Sequence, residues 1–143
     1  MAYTKSFKLQ IMASDHMVYE GDAVMVSLPT TEGSIGILAD HSNIIMAVVP
    51  GEITYEPVSG EQSGRQTVVV SEGLVKVENG EVMILIDTAE RPEEIDEARA
   101  KRAAERAREE LKRTNSNRDV AKASAELSRA MSRIKAATNK HRL

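Results

Sequence analysis

The chain has no cysteine and no tryptophan, and only one phenylalanine and three tyrosines among 143 residues. Without cysteine there are no disulfides and no thiolate zinc sites. The three histidines, His16, His41 and His141, are too scattered to suggest a metal site. With aromatics this scarce, the core must be assembled from Val, Ile, Leu and the seven methionines. Long apolar runs are missing as well. None approaches the ~20 residues needed to cross a bilayer, and the opening MAYTKSFKLQ holds none. These absences predict a soluble, intracellular-type chain of one ordinary domain, or a small domain with an appendage.

Glycine and proline are missing selectively. From Pro92 onward there is no Gly and no further Pro, and Ala, Glu, Arg and Lys dominate. Charge divides at the same place. Residues 1–89 carry twelve acidic and four basic residues, whereas 90–143 carry ten acidic and fifteen basic, so the net charge of −3 conceals halves of −8 and +5. Opposite-sign halves predict two structural units with different tasks.

In the first unit, SFKLQIM, MVYEGDAVMVSLPT, GEITYEPV and RQTVVVSEGLVKVENGEVMILIDTA combine β-branched residues, period-two alternation and frequent turn signals. Asn79-Gly80 lies between two apolar runs, a strong hairpin signal. VSGEQSGRQ reads as a longer hairpin end. Short, closely spaced strands predict an all-β sandwich or flattened barrel over residues 1–88. The second unit, residues 89–143, reads as an antiparallel two-helix hairpin, which makes the fold class α+β in two parts. Pro92 suits a first helical position, with Glu93 and Glu94 where the helix dipole favours anions. The first helix is expected to reach about Lys112, with Ile95, Ala98, Ala103, Ala107 and Leu111 on its apolar face. RTNSN interrupts it, and Ser116 or Asn117 caps a second helix running to about Ala137. That helix offers Val120, Ala123, Leu127, Ala130, Met131 and Ile134. Such a seam is thin, since an alanine contributes only one methyl at ~0.8 kcal/mol per buried methylene-sized group. It predicts either a close but weak helix pair or an element that opens.

Helices rise 1.5 Å per residue, so positions equally far from the turn lie opposite each other. A turn centred near residue 115 sets Arg99 level with Met131, and Arg129 and Arg133 flank that level on one face. Asp96 precedes Arg99 by about one turn. Three guanidinium groups near one carboxylate predict an anion clasped between the helices, because Arg forks suit phosphate oxygens. The plainer reading stays open at this point: the arginines face water or separate acidic partners.

These residues resemble the ε subunit of bacterial F-type rotary ATP synthases over nearly the whole chain. The β half matches through LPTTEGSIGILADHSNI (Leu28 to Ile44), Pro50-Gly51 and SEGLVKVENGEVMILIDTAE (Ser71 to Glu90). Ala39-Asp40 departs from the family's usual Pro-Gly-like turn pair. In the helical half, Ile95-Asp96-Glu97-Ala98-Arg99-Ala100 is similar to the Ile/Leu-Asp-x-x-Arg-Ala pattern of ATP-binding members, whose second helix supplies two arginines four apart. The resemblance implies ATP as a regulatory ligand, with Arg99, Arg129 and Arg133 on its phosphates and Asp96 orienting an arginine or meeting adenine or ribose. Glu90, Ile95 and Ala100 would line the base pocket.

The same resemblance implies a non-catalytic subunit of the proton-translocating ATP synthase, peripheral to the cell membrane on its cytoplasmic side. The β-sandwich would couple the γ shaft to the c-ring. The helices would be an ATP-sensitive switch that restrains ATP hydrolysis, and when extended Arg102, Arg106, Arg108, Lys112 and Arg113 would meet the catalytic α/β subunits. Gly33 and Gly36 are read as turn residues, and His41 as structural or interfacial. Two other classes remain open from the residues alone. An enzyme lacks an evident nucleophile, base and P-loop. A nucleotide- or nucleic-acid-binding module with a basic helical tail would bind electrostatically, against the ten acidic residues interspersed there.

Overall fold

The computed structural model describes residues 5–58, 64–113 and 116–139. His141, residues 59–63 of the expected longer hairpin end and residues 114–115 at the expected helical turn lie outside the described residues. The chain divides into two compact units, Met1–Ala89 and Glu90–Leu143.

The first unit is built from β1 (Phe7–Ala13), β2 (Met17–Thr30), β3 (Gly33–Ile37), β4 (Ile44–Val48), β5 (Gly51–Pro57), β6 (Gln66–Val70), β7 (Gly73–Glu78) and β8 (Glu81–Ile86), and a two-residue strand, β9 (Ala89–Glu90), stands at the boundary, with Glu90 opening the second unit. The strand order is β1-β8-β7-β4-β2-β5-β6-β9, with β3 on β2. β1 also pairs antiparallel with β2, so β1, β8, β7, β4 and β2 close into a ring. The 14-residue β2 makes this possible, because one half pairs with β1 and the other with β3 and β5. The result is the expected β-sandwich with a barrel-like closure.

Alternation decides which residues enter the core. Phe7, Leu9, Ile11 and Ala13 of β1 point inward, as do Val75 and Val77 of β7 and Val82, Ile84 and Ile86 of β8. Each fully buried Val, Leu or Ile contributes ~1.5–3 kcal/mol, so this unit has ample cohesion. Tyr55 is wholly buried against Tyr19, with ring centroids 4.8 Å apart. Two of the few aromatics are thus used as one pair.

The β7–β8 turn is Asn79-Gly80, with φ of 52° and 78°, the left-handed pair that a tight hairpin requires. Asn43 fastens it by accepting the Asn79 N–H at 3.1 Å. At the Ala39-Asp40 departure, Asp40 takes φ 65°, a conformation Asp tolerates better than most residues. Its carboxylate binds Lys5 Nζ at 2.8 Å, and this contact raises the Lys5 pKa. Gly33 does turn the chain, at φ 104°, but Gly36 lies within β3 opposite Ser27 and is a strand residue.

The second unit contains α1 (Glu97–Arg113) and α2 (Asn117–Asn139). Pro92 does not open α1. Pro92–Glu94 forms a single 3-10 turn, and Ile95 at φ −83°, ψ 126° is extended. Ile95 is buried in this extended conformation, and Asp96 then caps the helix that follows. Glu94 turns back to accept the Arg91 N–H at 3.4 Å. The buried face of α1 overlaps the expected one only in part. Ala100, Ala104 and Ala107 are buried, while Ala98 is exposed and Ala103 and Leu111 are half-buried. In α2, Ala123, Ala130, Ala136 and Ala137 are buried, Leu127 and Ile134 half-buried, and Val120 and Met131 exposed. Ser116 holds the N-cap position, with its carbonyl accepting the Val120 N–H at 2.9 Å. Arg106 and Glu110 share one groove with Asp119, Lys122 and Glu126, so the helices run antiparallel in the expected register. Among the described residues from Glu90 onward, every buried side chain except Ile95 is an alanine.

Candidate functional site

Asp96 is first of all a helix cap. Its Oδ1 accepts the Arg99 N–H at 3.0 Å, and its carbonyl accepts the Ala100 N–H at 3.0 Å. The first is a donor that a helix start leaves unsatisfied, and the second is the opening bond of the helical ladder. The Ile-Asp-x-x-Arg-Ala spacing therefore has a structural basis, because it sets a capping carboxylate three residues before an exposed arginine. Asp96→Ala is expected to cost about 1 kcal/mol of helical-unit stability. Thermal unfolding followed by helical circular dichroism checks this; no change would mean that the cap contributes nothing.

The carboxylate that meets an arginine across the fold is Glu90, not Asp96. Arg133 Nε donates to Glu90 Oε1 at 2.5 Å, between residues 43 apart in sequence. Both side chains keep only about a third of their exposure, 32% for Arg133 and 29% for Glu90. Arg129, one turn earlier on α2, is also half-buried, whereas Arg99 is exposed. Of the expected cluster, Glu90 pairs with Arg133, and Asp96 accepts from the backbone of Arg99. Ile95 and Ala100 are buried, at 6% and 4% exposure. Arg108, expected to meet the catalytic subunits when the helices extend, donates here from α1 to Met131 Sδ of α2 at 3.2 Å. His41 Nδ1 lies 2.7 Å from the Ser42 carbonyl, a local contact that suits a loop role.

The β unit carries a second feature. Leu74, Met83 and Leu85 are exposed on the outer face of β7 and β8, and Ile45 of β4 is 71% exposed. Leu74 sits opposite Leu85, and Lys76 bridges the register between Ile45 and Met83. These form an outward strip of apolar side chains interrupted by Lys76. Sequence reasoning assigned no contact residues here, although VMILI breaks the alternation by being apolar on both faces, and that was the available signal.

Residues 6–92 match the family described as ATP synthase, Delta/Epsilon chain, beta-sandwich domain, and residues 93–138 match its long alpha-helix domain. The chain belongs to the ATP synthase delta/epsilon family. It is 41% identical to the ATP synthase epsilon chain of Clostridium novyi over 91% of its own length and 96% of that protein's. With the epsilon chain of Thioalkalivibrio sulfidiphilus it shares 38% identity, covering 91% of each. Its fold is similar to a chain in the mitochondrial ATP synthase of Euglena gracilis, with a TM-score of 0.75 at 23% identity, covering 89% of this chain and 78% of that one. A chain of the Tetrahymena thermophila mitochondrial ATP synthase central stalk and c-ring gives 0.67 at 13% identity, covering 93% and 97%. As a member of the delta/epsilon family, the protein is a non-catalytic subunit of an ATP synthase. No helix among its described residues is long and apolar enough to cross a membrane.

Proposed function

We propose that the protein is a rotor subunit of the central stalk whose helical unit senses ATP. In this reading the β-sandwich joins the γ shaft to the c-ring on the cytoplasmic side of the membrane, with the Leu74, Met83, Leu85 and Ile45 strip suited to the shaft. ATP binds the helical unit through Arg99, Arg129 and Arg133 on its phosphates. Asp96, while capping α1, holds Arg99 in place, and Glu90, Ile95 and Ala100 border the base. Ligand keeps the helices paired. Its loss lets them part and extend towards the catalytic α/β subunits, where their basic face restrains hydrolysis.

The observation that carries this reading is the alanine seam. Seven alanines and Ile95 are the buried side chains of the helical unit among its described residues. At ~0.8 kcal/mol per buried methyl, the seam leaves the pairing close to balance once ordering entropy is subtracted. A ligand at a hundredfold excess over its Kd adds about 2.7 kcal/mol to the state that binds it. That is enough to shift a marginal equilibrium and would scarcely move one sealed by leucine.

Titration calorimetry of ATP against the full chain tests the site. Arg99→Ala and Arg129→Ala are each expected to weaken binding at least about tenfold, since charged hydrogen bonds to phosphate contribute ~1.5–3 kcal/mol apiece. ATP binding left unchanged by both substitutions overturns the assignment.

A further inference from the structure

We propose that the Glu90–Arg133 ion pair is an internal stand-in for a nucleotide phosphate, a latch that occupies the anion site of the folded helical unit before ATP binds. The inference rests on the nucleotide reading above and specifies how that site is regulated. A carboxylate offers an arginine the same two-oxygen, negatively charged edge that a phosphate offers. Here one of those oxygens, Glu90 Oε1, meets the Nε of an arginine 43 positions away, with both partners about two-thirds withdrawn from water. Partial withdrawal makes such a pair stronger than an exposed one. The pair also spans the unit from its first residue to the last third of α2, so it ties the two ends of the helical hairpin together.

Two consequences follow from the geometry. The unit does not fall open at once when ligand leaves, because Glu90 replaces part of the lost charge neutralisation. ATP must then displace Glu90 from Arg133 before its phosphates gain that guanidinium, so the latch lowers apparent affinity and sets the concentration at which the sensor responds. Displacement also frees the Glu90 carboxylate for the base. Closing on phosphate and recognising adenine become one event.

Inorganic tripolyphosphate separates the latch from base recognition because it has phosphates and no base. In calorimetric titrations of the full chain, Glu90→Gln is expected to bind tripolyphosphate about tenfold more tightly than the unsubstituted chain, a 1.4 kcal/mol change. Its preference for ATP over tripolyphosphate should shrink in the same measurement. Glu90→Ala serves as the second variant and should shift tripolyphosphate binding in the same direction. A readout on the unsubstituted chain needs no variant to fold. The Arg133 Nε–H resonance should sit at an ion-paired position without ligand and move on adding tripolyphosphate. ATP binding with tripolyphosphate affinity unchanged or weakened in Glu90→Gln and Glu90→Ala overturns the latch and leaves the nucleotide site standing. An Arg133 resonance that does not move on saturation also overturns the latch. Failure of the unsubstituted chain and both variants to bind either probe overturns the nucleotide reading itself, and the latch with it.

Discussion

Gly73→Ala is expected to destabilise the β unit severely, by at least about 3 kcal/mol, and to leave it largely unfolded in moderate urea. A Cβ built on Gly73 would lie 2.0 Å from the Leu85 carbonyl oxygen and 2.8 Å from both the Ile86 Cα and Cγ2. Two of those atoms are backbone of the paired strand, so no side-chain rotation relieves the clash and β7 must separate from β8. The damage reaches further than one hairpin. β8 also carries the parallel pairing to β1 and β7 the pairing to β4, so both neighbours in the closed ring shift. Gly36→Ala is the matched control, since a Cβ there meets nothing within 4 Å, and it should change stability by less than about 1 kcal/mol. Equal urea midpoints for the two variants would refute the close approach.

Ala130→Glu is expected to separate the helices while sparing the β unit. Ala130 is 1% exposed, and a carboxylate there must either lose its hydration or push the helix away. The effective penalty for burying an unpaired charge is several kcal/mol, against ~0.8 kcal/mol for each methyl holding the seam. Hydrogen exchange should show α1 and α2 amides losing protection and the amides of β1 and β8 keeping theirs. Ala121→Glu, on an exposed position of the same helix, should leave protection unchanged. Under the proposed switch, an ATP synthase assembled with Ala130→Glu should hydrolyse ATP slowly at all nucleotide concentrations, without the relief that ATP gives the unsubstituted chain. Hydrolysis that responds to ATP normally, in a variant whose helices are demonstrably parted, would detach the hairpin from regulation.

The candidate site was legible in unequal measure. Arg129 and Arg133 share a face because a four-residue spacing places them there in any helix, and Asp96 with Arg99 follows from the same period. The role of Asp96 was harder to read. A carboxylate at that position satisfies helix-start donors as readily as it meets a ligand, and the structure shows the former. The apolar strip of the β unit was overlooked because an uninterrupted run such as VMILI reads simply as a strong strand.

Composition and periodicity alone determined that there are two units, that one is a β-sandwich and the other a helical hairpin, and that alanine lines the hairpin. These are local properties: strand alternation, glycine-containing turns and helix propensity act within a few residues of each other. The Glu90–Arg133 pair, the parallel pairing of β1 with β8 and the crowding around Gly73 belong to the tertiary structure alone. Each joins segments that only a completed core brings together. So does the start of α1: Ile95 is buried in an extended conformation, and the helix begins only after it, capped by Asp96.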